Sequence, residues 1–202
     1  MTERAIHAAA VAPAVAPAVA PAVAPAADQR IAEVFARCFA RGENCLLCGG
    51  ADEPLYQPAS GEQANTIFYR DDFARSALHE VAHWCIAGEQ RRKLLDYGYW
   101  YEPDGRSAEQ QQQFELVERK PQALEWFFSL ASGLPFALSI DNLDAAPGDN
   151  FSFALAVWQQ ARRYLREGLP GRAASFQQAL AIEFGGVGAP SERDLSLAAL
   201  WR

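Results

Sequence analysis

The sequence predicts a helix-rich α+β domain with a few short strands, preceded by a disordered Pro/Ala-rich tail. Three observations carry this expectation. Prolines punctuate an Ala/Val repeat up to Pro25, helical spacing of apolar residues dominates the chain beyond it, and short β-branched or aromatic runs interrupt that spacing. At 202 residues, 50% of them hydrophobic, the chain can bury one sizeable core. Residues 1–27 are therefore assigned to the tail and 28–202 to a single domain.

In the tail, Pro13, Pro17, Pro21 and Pro25 recur every fourth residue, each removing a backbone donor and blocking a helix. The stretch reads as extended and polyproline-II-like. An export signal needs an unbroken apolar region, which these prolines deny. In the next segment Ile31, Val34, Phe35, Cys38 and Phe39 make an amphipathic helix, with Asp28 as its cap and Gly42 as its stop. Residues 43–64 read as turn-rich, and Asn65–Tyr69 as a strand. Asp72 is expected to cap a helix running to about Ala87, with Gly88 ending it. Tyr97-Gly98-Tyr99-Trp100-Tyr101 has strand character and leads into a turn at Pro103-Asp104-Gly105. A polar helix is expected over Ser107–Arg119. A separate helix is expected to start at Pro121, a residue suited to a first helical position, and to stop at Gly133. A strand over 136–140, helices over about 150–167 and 171–184, and a helical end near 192–201 complete the reading.

The net charge of −7 argues against nucleic acid as a partner and suits a basic protein or a cationic substrate. No window approaches a membrane span. Cys45-Leu46-Leu47-Cys48 has the spacing of half a zinc knuckle or a redox pair, but a knuckle needs a second pair. A thioredoxin-like motif needs a βαβ context that is not evident. Cys85 falls on an apolar helix face as a small hydrophobe. Without a disulfide framework, a reducing cytoplasm is the expected setting.

The chemistry concentrates in His79-Glu80-Val81-Ala82-His83. Positions four apart on a helix share a face, so both imidazoles can close on one metal ion, as in the zincin-like His-Glu-x-x-His helix. Leu78, Val81, Ala82 and Cys85 form the core stripe of this helix, and the histidines lie at its edge, where core meets cavity. A third ligand has to come from elsewhere. Carboxylates are the natural supply. Glu118 is the first candidate and Glu115 stands close behind it, both near the start of the Pro121 helix, and Glu125 sits one or two turns into that helix. With Zn²⁺ the set suits a metallohydrolase with Glu80 as general base. With Fe²⁺ it is a two-histidine, one-carboxylate triad with positions open for dioxygen and substrate. Spacing alone favours zinc.

The surroundings of the motif resemble the elongation factor P hydroxylase family. The resemblance lies in Asp52-Glu53-Pro54-Leu55-Tyr56, SALHEVAHWCIAGEQRR at 76–92, DYGYWYEPDGR at 96–106 and FELVERKPQALEW at 114–126, followed by Leu134-Pro135-Phe136 and Asp141-Asn142-Leu143. It covers roughly residues 28–185. It implies an iron-dependent oxidoreductase that uses dioxygen to hydroxylate the β-lysyl-modified lysine of elongation factor P. His79, His83 and Glu118 or Glu115 would hold the metal, and Glu80 would turn from base into a supporting residue. Tyr97, Tyr99, Trp100 and Tyr101 would line a groove for the alkyl and ammonium groups of that substrate. The Arg-x-Ser pairing with which many 2-oxoglutarate enzymes hold the distal carboxylate has no clear counterpart here. Two other functions compete: a zinc metallohydrolase, and a non-catalytic module that binds the translation factor around a structural metal.

Overall fold

The computed structural model describes residues 25–96, 108–139 and 151–200. Six helices and three short strands follow one another as α1 (Ala27–Phe39), β1 (Cys45–Ala51), β2 (Leu55–Gln57), β3 (Asn65–Arg70), α2 (Ala74–Ile86), α3 (Ala108–Ser132), α4 (Phe151–Glu167), α5 (Gly171–Phe184) and α6 (Leu197–Leu200). The fold is α+β and helix-rich, as expected. The repeat tail up to residue 24, the aromatic run 97–101 with its turn, and Asp141-Asn142-Leu143 lie outside the described residues.

The sheet has the order β1-β3-β2, with β3 parallel to β1 and antiparallel to β2. Two of these strands arise in the stretch expected to be turns. Cys45 and Leu47 point into the core while Leu46 is exposed, so a period-2 pattern is present in β1. Its Gly49-Gly50 end, however, reads as a turn. Gly49 is needed there because a Cβ would meet the Tyr69 ring at 2.7 Å.

Helix starts also differ from expectation. Neither Asp28 nor Asp72 caps a helix; Ala26 and Phe73 occupy the N-cap positions, without side-chain capping bonds. Asp28 instead lies buried in the first turn of α1, where it accepts a hydrogen bond from Tyr69 Oη at 2.9 Å and ties α1 to β3. The expected break at Pro121 is absent, and one helix, α3, runs through it. Proline there forgoes its own donation to the carbonyl four residues back, and its ring crowds that carbonyl. Packing outweighs that loss, since every residue from 121 to 129 is buried. Residues 134–139 form no strand, and the C-terminal helix shrinks to Leu197–Leu200.

Helix α3 is central because it serves two cores. Leu124, Phe128 and Ala131 join α1, the sheet, α2 and α5 around Phe35, Leu78, Val81 and Phe176. Phe114, Ala123, Trp126 and Phe127 pack against Phe153, Ala154 and Val157 of α4. A helix apolar on two faces belongs between layers, and a Phe buried as completely as Phe35 or Phe128 contributes about 1.5–3 kcal/mol. Gly133, at φ 68°, ends α3 in the left-handed conformation.

Candidate metal centre

Helices α2 and α3 bring the site together. Leu78, Val81, Ala82 and Cys85 bury the core stripe of α2, which turns His79 and His83, one helical turn apart, toward α3. There, Glu118, Gln122, Glu125 and Ser129 form a polar stripe at helical spacing, all of it buried. Such a stripe on a helix inside the core needs partners.

Glu118 meets both histidines. Its Oε1 lies 3.2 Å from His83 Nε2 and its Oε2 3.5 Å from His79 Nε2, while the two Nε2 atoms are 3.0 Å apart. His79, His83 and Glu118 form a candidate metal-binding group, with one ligand atom from each within a common 4.8 Å. Glu115 is placed otherwise: its Oε1 accepts from Gln111 Nε2 at 3.2 Å along its own helix.

Two imidazole lone pairs cannot face each other at 3.0 Å without a positive charge between them, so the pair calls for a proton or a cation. Ligand atoms about 2.1 Å from one centre stand roughly 3.0 Å apart at right angles and roughly 3.4 Å apart at tetrahedral ones. The observed separations of 3.0, 3.2 and 3.5 Å fall in that range. The donor set of two imidazoles and a carboxylate fits a divalent transition metal.

Glu125, one of the carboxylates the sequence offers, takes a role behind His79 that its position in the sequence did not assign. Its Oε2 accepts a hydrogen bond from His79 Nδ1 at 2.8 Å, which holds the ring and directs Nε2 at Glu118 and His83. The signal was the seven-residue interval from Glu118 to Glu125, two turns of one helix, hidden once a break was assumed at Pro121. Burial opposes a charge on His79, but the Glu125 hydrogen bond and the nearby Glu118 outweigh it and push its pKa up to about 10. Burial also raises the Glu80 pKa, against the pull of His79 and His83.

The centre opens on a cavity of about 410 Å³, lined by His79, Glu80, His83, Tyr56, Arg75 and Ser139 among others. Tyr56 Oη donates to the Arg92 carbonyl, and the backbones of Tyr56 and Asp96 exchange hydrogen bonds of 2.7 and 3.0 Å. That exchange fixes where the chain departs toward Tyr97, Tyr99, Trp100 and Tyr101, whose own placement lies outside the described residues. Cys45 and Cys48 sit on β1 and Cys85 in the core, all as free thiols. Burial pushes the Cys45 thiol up to about 12, so it is not a ready thiolate.

The fold and this site define a helix-rich α+β protein with a two-histidine, one-glutamate candidate metal group at the wall of a cavity. Residues 34–192 match the elongation factor P hydroxylase family, and the chain belongs to that family. The elongation factor P lysine hydroxylase of Haemophilus influenzae is 47% identical over 169 residues, spanning 83% of this chain and 92% of that protein.

Proposed function

We propose that residues 28–202 form one hydroxylase domain that uses ferrous iron and dioxygen to hydroxylate the β-lysyl-modified lysine of elongation factor P. The observation that carries this reading is the convergence of His79, His83 and Glu118 beside the cavity, in a chain of this family. His79, His83 and Glu118 would hold the ion, and iron bound there would supply the oxidising chemistry.

The chain's own residues do the rest. To a bound ion, His79 and His83 would present deprotonated Nε2 atoms and Glu118 its carboxylate, while Glu125 keeps the other His79 proton on Nδ1. The cavity of about 410 Å³ is bordered by this wall, and Tyr97, Tyr99, Trp100 and Tyr101 are proposed to line the approach of the substrate side chain. One oxygen atom enters a C–H bond and the other leaves as water, with two electrons and two protons from an external donor. No described helix is long and apolar enough to cross a membrane, and a cytoplasmic setting suits a translation factor as substrate.

The test is to incubate the purified protein with β-lysylated elongation factor P, ferrous iron, a reductant and oxygen. A gain of about 16 Da on the factor is expected, lost in His79→Ala because that change removes a ligand. Stoichiometric zinc in protein purified without chelator, together with peptide cleavage and no mass gain, would sink the proposal in favour of a hydrolase.

A further inference from the structure

Three carboxylates line the main cavity: Glu80, Asp96 and Glu125. Two are engaged. Asp96 is paired with Arg91, and Glu125 accepts from His79 Nδ1. Glu80 has no hydrogen bond or ion pair to a side chain among the described residues, although four arginines line the same cavity. Those arginines are held elsewhere. Arg91 is taken by Asp96 and Arg92 by Glu43 at 2.7 Å, Arg70 lies 3.5 Å from Asp71, and Arg75 donates to the Ala137 carbonyl at 2.7 Å.

Charge counting sharpens the point. A divalent ion at His79, His83 and Glu118 would be balanced by the Glu118 carboxylate in contact with it and the Glu125 carboxylate behind His79. The negative charge on Glu80 would remain uncompensated. Glu80 follows His79 directly, so its Cα is about 3.8 Å from that of a ligand-bearing residue. A carboxylate facing a cavity from that position is a receptor for a cation arriving with the substrate.

We propose that Glu80 is a specificity residue: its carboxylate receives an ammonium group of the aminoacyl extension on the substrate lysine and so selects the extended, amine-bearing side chain. The assignment rests on the proposed function for its choice of substrate, and it separates Glu80 from the metal-holding residues. A general base would need no cation in the substrate. A residue that only orients a ligand would act alike on every substrate.

The test is equilibrium binding, which needs no turnover. Two peptides are titrated into the metal-loaded protein without oxygen: one carries a lysine acylated on Nε by a β-lysyl group, the other an acyl chain of equal length without amines. The intact protein is expected to bind the amine-bearing peptide about 10–100-fold more tightly, the range for a charge-assisted pair in a partly enclosed site. Glu80→Gln should abolish that preference, leave binding of the neutral peptide within about twofold, and keep the metal content unchanged. Glu80→Asp should restore part of the preference. Equal binding of the two peptides by the intact protein would overturn the proposal, as would a Glu80→Gln variant that keeps the preference or loses its metal. If the preference holds but oxygen and iron give no mass gain on elongation factor P, the hydroxylase reading fails while Glu80 keeps its role.

Discussion

At the scale of single residues, Glu125 exerts its effect through one hydrogen bond. By accepting from His79 Nδ1 it leaves Nε2 as the atom that faces Glu118 and His83. Glu125→Gln keeps the volume but removes the charge, and is expected to weaken metal binding about 10–100-fold in a chelator competition. The pH dependence gives a second readout. The His79 pKa is raised from 6.5 to about 10, so the metal-free ring carries two protons at neutral pH and an ion must displace one. Metal affinity should therefore climb about tenfold per pH unit through neutrality and level off near pH 10. In Glu125→Gln the plateau should begin at lower pH, because the main contact raising that pKa is gone. The sign for stability is the reverse. A raised histidine pKa stabilises the metal-free fold fully below about pH 6.5, and the contribution fades as pH rises through about 10. Equal plateau positions for the two proteins would show that the hydrogen bond does not govern the ring.

At the scale of elements, the cavity wall depends on α3 holding an irregular segment against itself. Gln122, fully buried, donates from Nε2 to the Ser139 carbonyl at 2.8 Å and accepts from the Ser139 N–H at 3.1 Å. This pair replaces the strand hydrogen bonds that residues 136–140 were expected to make. Gln122→Ala would leave both Ser139 backbone groups without these partners and open a void. A loss of about 2–4 kcal/mol in denaturant unfolding is expected, and an effect under about 1 kcal/mol would mean that water substitutes freely. The same physics decides which elements were legible. The helices α1 and α4 show strong apolar periodicity with few competing signals, and the structure has them close to where spacing put them. The strand β1 carries Gly49-Gly50 and the three-residue β2 lies between Pro54 and Pro58, and their pairing with β3 is a tertiary fact. Pro121 misled because its local preference for a helix start is overruled by two cores closing on α3. That one misreading hid the role of Glu125 and left Glu115 close behind Glu118, since only an unbroken helix sets Glu118, Gln122 and Glu125 on a single face.

At the scale of the whole molecule, the candidate centre joins α2, built into one core, to α3, which takes part in both. An ion bound to His79, His83 and Glu118 would link two elements separated in sequence by the whole 87–107 connection, and would bind the folded chain in preference to the unfolded one. At an ion concentration about 100 times its dissociation constant, this linkage contributes about 2.7 kcal/mol. For a chain of this size that raises the melting temperature by roughly 5–10 °C. Glu118→Gln separates this from ordinary packing, because glutamine preserves the side-chain volume where Glu118 is only 1% exposed. Without metal, the variant should melt below the temperature of the parent chain, since it removes one of the carboxylates that hold the charged His79 ring in the folded state. With metal, the gap should widen, the parent gaining several degrees and the variant little. Scanning calorimetry of both proteins, with chelator and with ferrous iron under anaerobic conditions, reads all four states. If Glu118→Gln gained as much from iron as the parent, Glu118 would not be the third ligand, and the link between α2 and α3 would have to pass through another carboxylate.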